Sequence, residues 1–281
     1  MPRRLGQWEL VELAAKGGLA RVYRARAADC RDDQPAGYAL KVLRDQWETD
    51  PRAIAMLARE AEAGRSVSHP HLVSVLRARV SRPPRYLVMP WLDGSTLQSL
   101  LNSTAVLDLP TALWFARQTA EALDAMHRAG WMHGDVKPGN LLISPEGHVT
   151  LLDLGFARRP HEVGSAVDRC VLGTCNYMAP ELITSALRPD IRSDVYSLGA
   201  TLYETLAGRP PFIGQSLADL AGQHRQAIPP SLQRLAPHLR ADVVRLVHRM
   251  LAKAPLRRPQ TPAELIERLS RLEISTFSER A

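Results

Sequence analysis

Cysteine is scarce in this chain of 281 residues, which has only Cys30, Cys170 and Cys175. An odd number with no Cys-x-x-Cys pair suggests neither a disulfide framework nor a zinc site, and it fits a reducing, cytoplasmic setting. Aromatic residues are also few, at 5%. No basic stripe interleaved with aromatics marks a nucleic-acid face, so no nucleic-acid partner is expected despite a formal net charge of +7. The positive balance reads as a solvated surface that favours acidic protein partners. No apolar run reaches the roughly 18 residues a membrane helix needs, so no membrane segment is expected. The opening Met-Pro-Arg-Arg has no apolar run behind it, as a secretion signal would. Internal repeats and low-complexity tracts are absent too. What remains is 45% hydrophobic and 23% charged. That is an ordinary globular composition, on a chain long enough for two lobes with a real core.

The first third reads as strands: Trp8–Leu13, Arg21–Ala25, Tyr38–Leu43 and Arg85–Met89 are short β-favouring runs. One helix interrupts them. Asp50 is a good N-cap and Pro51 suits the first helical position, and the helix runs to about Val67. After Asp93-Gly94 the chain turns helical. Leu109 to Ala129 has apolar residues at helical spacing and stops at Gly130. Two strand-like runs follow, Leu141–Ile143 and Val149–Leu152. A last helix starts at Thr261 with Glu264 three residues on, a capping-box signature. The expectation is an α+β chain with two lobes: residues 1–89 and 95–272, a hinge at 90–94, and a polar tail at 273–281.

Chemistry concentrates in His133-Gly134-Asp135-Val136-Lys137-Pro138-Gly139-Asn140. Asp135, Lys137 and Asn140 follow no helical or strand period and are hard to explain as packing. Further on, Asp153-Leu154-Gly155 ends an apolar strand, where a carboxylate beside a flexible glycine can reach a metal. These segments resemble the catalytic loop (H-R-D-x-K-P-x-N) and metal motif (D-F-G) of the protein kinase family. Other matches are Tyr38-Ala39-Leu40-Lys41 to the strand lysine, and Gly173-Thr174-Cys175-Asn176-Tyr177-Met178-Ala179-Pro180-Glu181 to the end of the activation segment. Asp194 and Arg258 fall in two further family blocks. Details such as Ser68-His69-Pro70-His71 look most like bacterial kinases of the eukaryotic (Hanks) type.

The resemblance implies a bilobal kinase fold and a set of roles. Lys41 holds ATP phosphates and pairs with Glu60. Asp135 is the catalytic base, with Lys137 near the γ-phosphate. Asn140 and Asp153 hold magnesium or manganese. Ala15, Gly17 and Gly18 stand in the phosphate loop. Val22 and Ala39 lie above the adenine and Leu142 below it, with Met89 flanking the back pocket and Pro90 to Leu92 offering backbone hydrogen bonds. Lys137 and Thr174 mark the Ser/Thr-specific branch. Glu181 and Arg258 form a buried ion pair, and Asp194 anchors the catalytic loop. The implied activity is ATP-dependent phosphorylation of Ser or Thr hydroxyls in proteins, with autophosphorylation.

The sequence departs from the pattern in several places, of which Leu154 for Phe is a mild apolar swap. Ala15 and Ala20 replace the outer glycines of G-x-G-x-x-G, so weaker ATP binding or slower turnover is expected. Gly134 replaces the arginine before the catalytic Asp, which removes one receptor for a phosphorylated activation loop. That segment, from Phe156 to Leu172, has Ser165 as its one hydroxyl. Activity is therefore expected not to require its phosphorylation, and Ser165→Ala should keep most turnover. Gly64, a turn after Glu60, leaves little side chain to pack, so its helix is expected to be loosely held. Two other readings compete: a kinase-like scaffold of weak activity, motivated by the altered loop, and a small-molecule phosphotransferase, motivated by His-Gly-Asp. The latter class lacks the Gly-Thr…Ala-Pro-Glu segment and the Arg258 partner. Regulation is expected to come from a partner, from self-association or from a region outside this chain.

Overall fold

The computed structural model describes residues 4–29, 35–160, 162, 175–183 and 189–276. Ser165 and Thr174, to which the sequence assigns roles, lie outside the described residues, as do Cys30 and Cys170. The chain divides into two compact units. The first takes residues 1–68, 72–93 and 153–156, and the second takes 69–71, 94–152 and 157–281.

The first unit is a six-stranded antiparallel sheet with one long helix. Its strands are β1 (Arg4–Leu5), β2 (Trp8–Lys16), β3 (Ala20–Ala27), β4 (Tyr38–Leu43), β5 (Arg77–Arg79) and β6 (Tyr86–Pro90), in the order β1-β2-β3-β4-β6-β5. Leu5, Trp8, Ala25, Leu40, Tyr86 and Val88 form a buried cluster on the sheet, as alternating strands require. Helix α1 (Pro51–Ser66) starts as its sequence predicts. The Asp50 carboxylate accepts the Arg52 and Ala53 N–H groups, and Pro51 gives up no bond at the first position.

The expectation of a loosely held α1 is wrong. A Cβ at Gly64 would sit 2.6 Å from Val75 Cγ2, and the Val75 N–H donates to the Gly64 carbonyl at 3.0 Å. The glycine lets backbone approach backbone. On its other side α1 packs against the short turn Leu154–Phe156, with Leu154 fully buried.

The second unit is mainly helical. It contains β7 (Ser95–Thr96), β8 (Leu141–Ile143) and β9 (Val149–Leu151), which pair in that order. Its helices are α2 (Leu97–Thr104), α3 (Leu109–Arg128), α4 (Pro180–Ile183), α5 (Ile191–Ala207), α6 (Leu217–Gln226), α7 (Leu232–Leu235), α8 (Ala241–Met250) and α9 (Pro262–Thr276). Helix α5 is buried on nearly every residue up to Leu206 and is the unit's central element. Helix α9 shows half of the expected capping box. The Glu264 N–H donates to Thr261 Oγ1 at 3.1 Å, but the Glu264 carboxylate reaches back to the Gln260 N–H at 2.7 Å rather than to Thr261. No described helix is long and apolar enough to cross a membrane.

Candidate active site

In the first unit, β4, α1 and the turn after β9 converge on three charges. Lys41 Nζ donates to both Glu60 oxygens, at 2.9 and 2.7 Å, and to Asp153 Oδ1 at 2.9 Å. Glu60 is almost fully buried. Burial pushes its carboxyl up to about 7 and the Asp153 charge adds to that, while Lys41 opposes both. Burial also presses on Lys41, but Asp153 and Glu60 outweigh it and hold the ammonium above the usual lysine range. Asp153 takes a left-handed backbone, φ +62°, and its Oδ1 accepts the Gly155 N–H at 3.3 Å. Its side chain remains two-fifths exposed. Sequence proximity could not bring it to Lys41, since 112 positions separate them.

The loop between β2 and β3 closes with the Gly17 N–H on the Ala20 carbonyl at 2.9 Å. Ala15 pairs with Val22 across the hairpin, and Ala20 pairs with Leu43 of β4. Neither alanine has a left-handed φ, so at these two positions the backbone does not require glycine. Val22 is half-buried, while Ala39 and Met89 are buried and face each other across the β4–β6 ladder. Past β6 the Trp91 N–H is spent on the Gly37 carbonyl at 2.9 Å, whereas the Leu92 N–H has no partner among the described residues.

In the second unit, the segment from His133 to Asn140 is anchored through its backbone. Asp194, at the start of α5, accepts the His133 N–H on Oδ2 and the Gly134 N–H on Oδ1, each at 2.7 Å. Burial pushes this carboxyl up, with His133 and the two N–H groups working the other way. Gly134 has φ +78°, a conformation that favours glycine. The Asp135 N–H donates to His133 Nδ1 at 3.1 Å, which leaves the ring proton on Nε2, donated to the Leu152 carbonyl at 3.0 Å.

Asp135 is buried. Its Oδ2 takes the Lys137 ammonium at 2.8 Å and the Asn140 amide at 2.9 Å. Asn140 Nδ2 also donates to the Asp135 carbonyl at 2.8 Å, so its side-chain oxygen faces elsewhere. Leu142 is half-buried on β8.

Arg258 and Glu181 meet as the sequence predicts, at 2.5 and 2.9 Å, both almost fully buried. Arg258 also donates to the carbonyls of Ala252, Arg192 and Lys253, so all five of its N–H groups are used. Sequence reasoning missed Arg44 and Trp47, whose side chains reach the Gly17–Gly18 tip. The available signal was one tryptophan inside the polar run Arg44-Asp45-Gln46-Trp47-Glu48.

Asp153 in the first unit and Asn140 in the second each carry a side-chain oxygen, a donor type that hard divalent cations take. Among the described residues no group of three or more His, Cys, Asp or Glu side chains is arranged to hold a metal by itself.

The chain is similar to known proteins over most of its length. The family model described as the protein kinase domain matches residues 8–268. The chain is 36% identical over 267 residues to the serine/threonine-protein kinase PknB of Mycobacterium tuberculosis, covering 92% of this chain and 42% of that protein. It is 36% identical over 273 residues to a probable serine/threonine-protein kinase of Streptomyces coelicolor (94% and 40%). It is 32% identical over 270 residues to a probable serine/threonine-protein kinase of Clostridium perfringens (95% and 38%). The chain thus spans about two fifths of the length of these relatives.

Proposed function

The chain belongs to the protein kinase family, among the bacterial Hanks-type serine/threonine kinases, and on that premise we propose that it transfers the γ-phosphate of ATP to Ser and Thr hydroxyls of proteins. The observation that carries the reading is the Asp135 carboxylate, buried and oriented by Asn140 and Lys137 on a loop whose backbone Asp194 fixes. A carboxylate so held can accept the proton of an attacking hydroxyl.

Each unit contributes one set of groups. The first brings Lys41, stiffened by Glu60, as the point charge for ATP phosphates, and Asp153 as a metal ligand. It also brings the amides of the β2–β3 loop and the apolar Val22, Ala39 and Met89 for the purine. The Pro90 carbonyl and Leu92 N–H are left for the adenine edge. The second brings Asp135, Lys137, Asn140 as the other metal ligand, and the apolar Leu142. Magnesium or manganese, when bound, neutralises charge on the transferring phosphate.

Lys137 and Thr174 carry the sequence pattern of the Ser/Thr-specific branch, and proteins of acidic character are the preferred partners of the basic surface. Gly134 makes the catalytic loop of the non-arginine type, so phosphate on Ser165 is not required. The reading extends to autophosphorylation on the protein's own hydroxyls, to self-association, and to a cytoplasmic location where ATP is present and thiols stay reduced. Incubating the protein with radiolabelled ATP and a lysate should label protein bands and the protein itself. Asp135→Ala should lose that labelling by at least about 10²-fold while still binding nucleotide. Equal labelling by the two proteins would exclude the enzyme reading.

A further inference from the structure

The β2–β3 tip is gripped from outside the nucleotide-binding motif. The turn Asp45–Trp47 follows β4 and is tied down at its far end. Glu48 accepts the Arg85 N–H at 2.8 Å and pairs with the Arg85 guanidinium at 2.8 Å. From this anchored turn two side chains reach the tip. Trp47 Nε1 donates to the Gly18 carbonyl at 2.9 Å. Arg44 Nη1 donates to the same carbonyl at 3.1 Å and to that of Gly17 at 3.4 Å. The Arg44 N–H holds the Leu19 carbonyl at 2.9 Å. Three successive carbonyls of an exposed tip are therefore turned toward one segment.

The peptide bond converts that grip into a second constraint. In a trans peptide the C=O and the following N–H point in opposite directions. Fixing the carbonyls of Gly17 and Gly18 turns the N–H groups of Gly18 and Leu19 away from Arg44 and Trp47. Neither N–H has a partner among the described residues. Two adjacent backbone donors fixed in direction form a small anion-binding concavity.

We infer that Arg44 and Trp47 are positioning residues that orient the Gly18 and Leu19 amides toward the phosphates of a bound nucleotide, holding in place a loop that Ala15 and Ala20 have altered. This rests on the kinase reading above. Trp47→Phe keeps the ring and removes one neutral donor. Arg44→Lys keeps the charge and removes the fork. Calorimetric titration of each variant and of the parent with Mg²⁺–ADP and with adenosine separates phosphate positioning from general support of the fold.

The expected result is a loss of ADP affinity of about two- to tenfold in each variant, the effect of one hydrogen bond, with adenosine affinity unchanged. Equal loss for both ligands would make the two residues merely structural and overturn the inference. Unchanged ADP affinity would overturn it as well. In both cases a parent protein that binds ADP leaves the kinase reading intact. A parent that binds neither ligand would sink that reading, and the inference with it.

Discussion

Glu60 is a carboxyl raised to about 7 by burial and by Asp153, and opposed by Lys41. Its protonated form grows as pH falls through that value, because the folded-state pKa lies above the ordinary carboxylate range. The Lys41–Glu60 ion pair is thus expected to weaken as pH falls through the raised Glu60 value. Mg²⁺–ADP affinity followed by calorimetry from about pH 8 to about pH 6 should fall on the acid side. Glu60→Gln should start weaker and lack that fall. A parallel decline in Glu60→Gln would assign the titration to another group. At this scale the sequence was readable wherever a motif names both members of a pair, as it does for Lys41 with Glu60 and Arg258 with Glu181. Side chains that bind backbone left no such trace. Arg44 and Trp47 touch carbonyls, and every residue has a carbonyl, so no residue type at the tip advertises the contact.

Helix α1 illustrates the next scale. Its start was legible because Asp50-Pro51 is a local device whose partners lie within three residues. Its packing was misread because Gly64 looks like a missing side chain, and only the position of Val75 reveals a close approach. Gly64→Ala should therefore destabilise the protein by about 1–3 kcal/mol, read as a lowered denaturation midpoint. Val75→Ala in the same protein should relieve the clash. The double variant is then expected to be more stable than the sum of the two single losses by at least about 0.5 kcal/mol. Strict additivity would mean that α1 yields without resistance. The capping box of α9 carries the same lesson in small form. Thr261 and Glu264 were correctly paired by spacing, but the carboxylate chose the N–H one residue earlier, a choice of rotamer that spacing does not encode.

Across the whole molecule, Arg258 ties α4 to the Ala252–Lys253 segment between α8 and α9 and to α5 through the Arg192 carbonyl. With five donors satisfied and no exposed surface, it has no water to fall back on. Arg258→Lys keeps the charge but offers three donors to five acceptors, and should cost about 3–5 kcal/mol in chemical denaturation. A loss under about 1 kcal/mol would show that the site is wetter than its burial indicates. The division into units was less legible than the elements themselves. Nothing in Asp153-Leu154-Gly155-Phe156 announces that these four residues belong with the first unit while both neighbours belong with the second. That interleaving bears on how the protein can be cut and recombined. A clone ending at Asp93 would leave α1 without Leu154 and Lys41 without one of its two carboxylates. No single splice point can therefore transplant the small unit between related genes; a chimera must carry the distant tetrapeptide along with it.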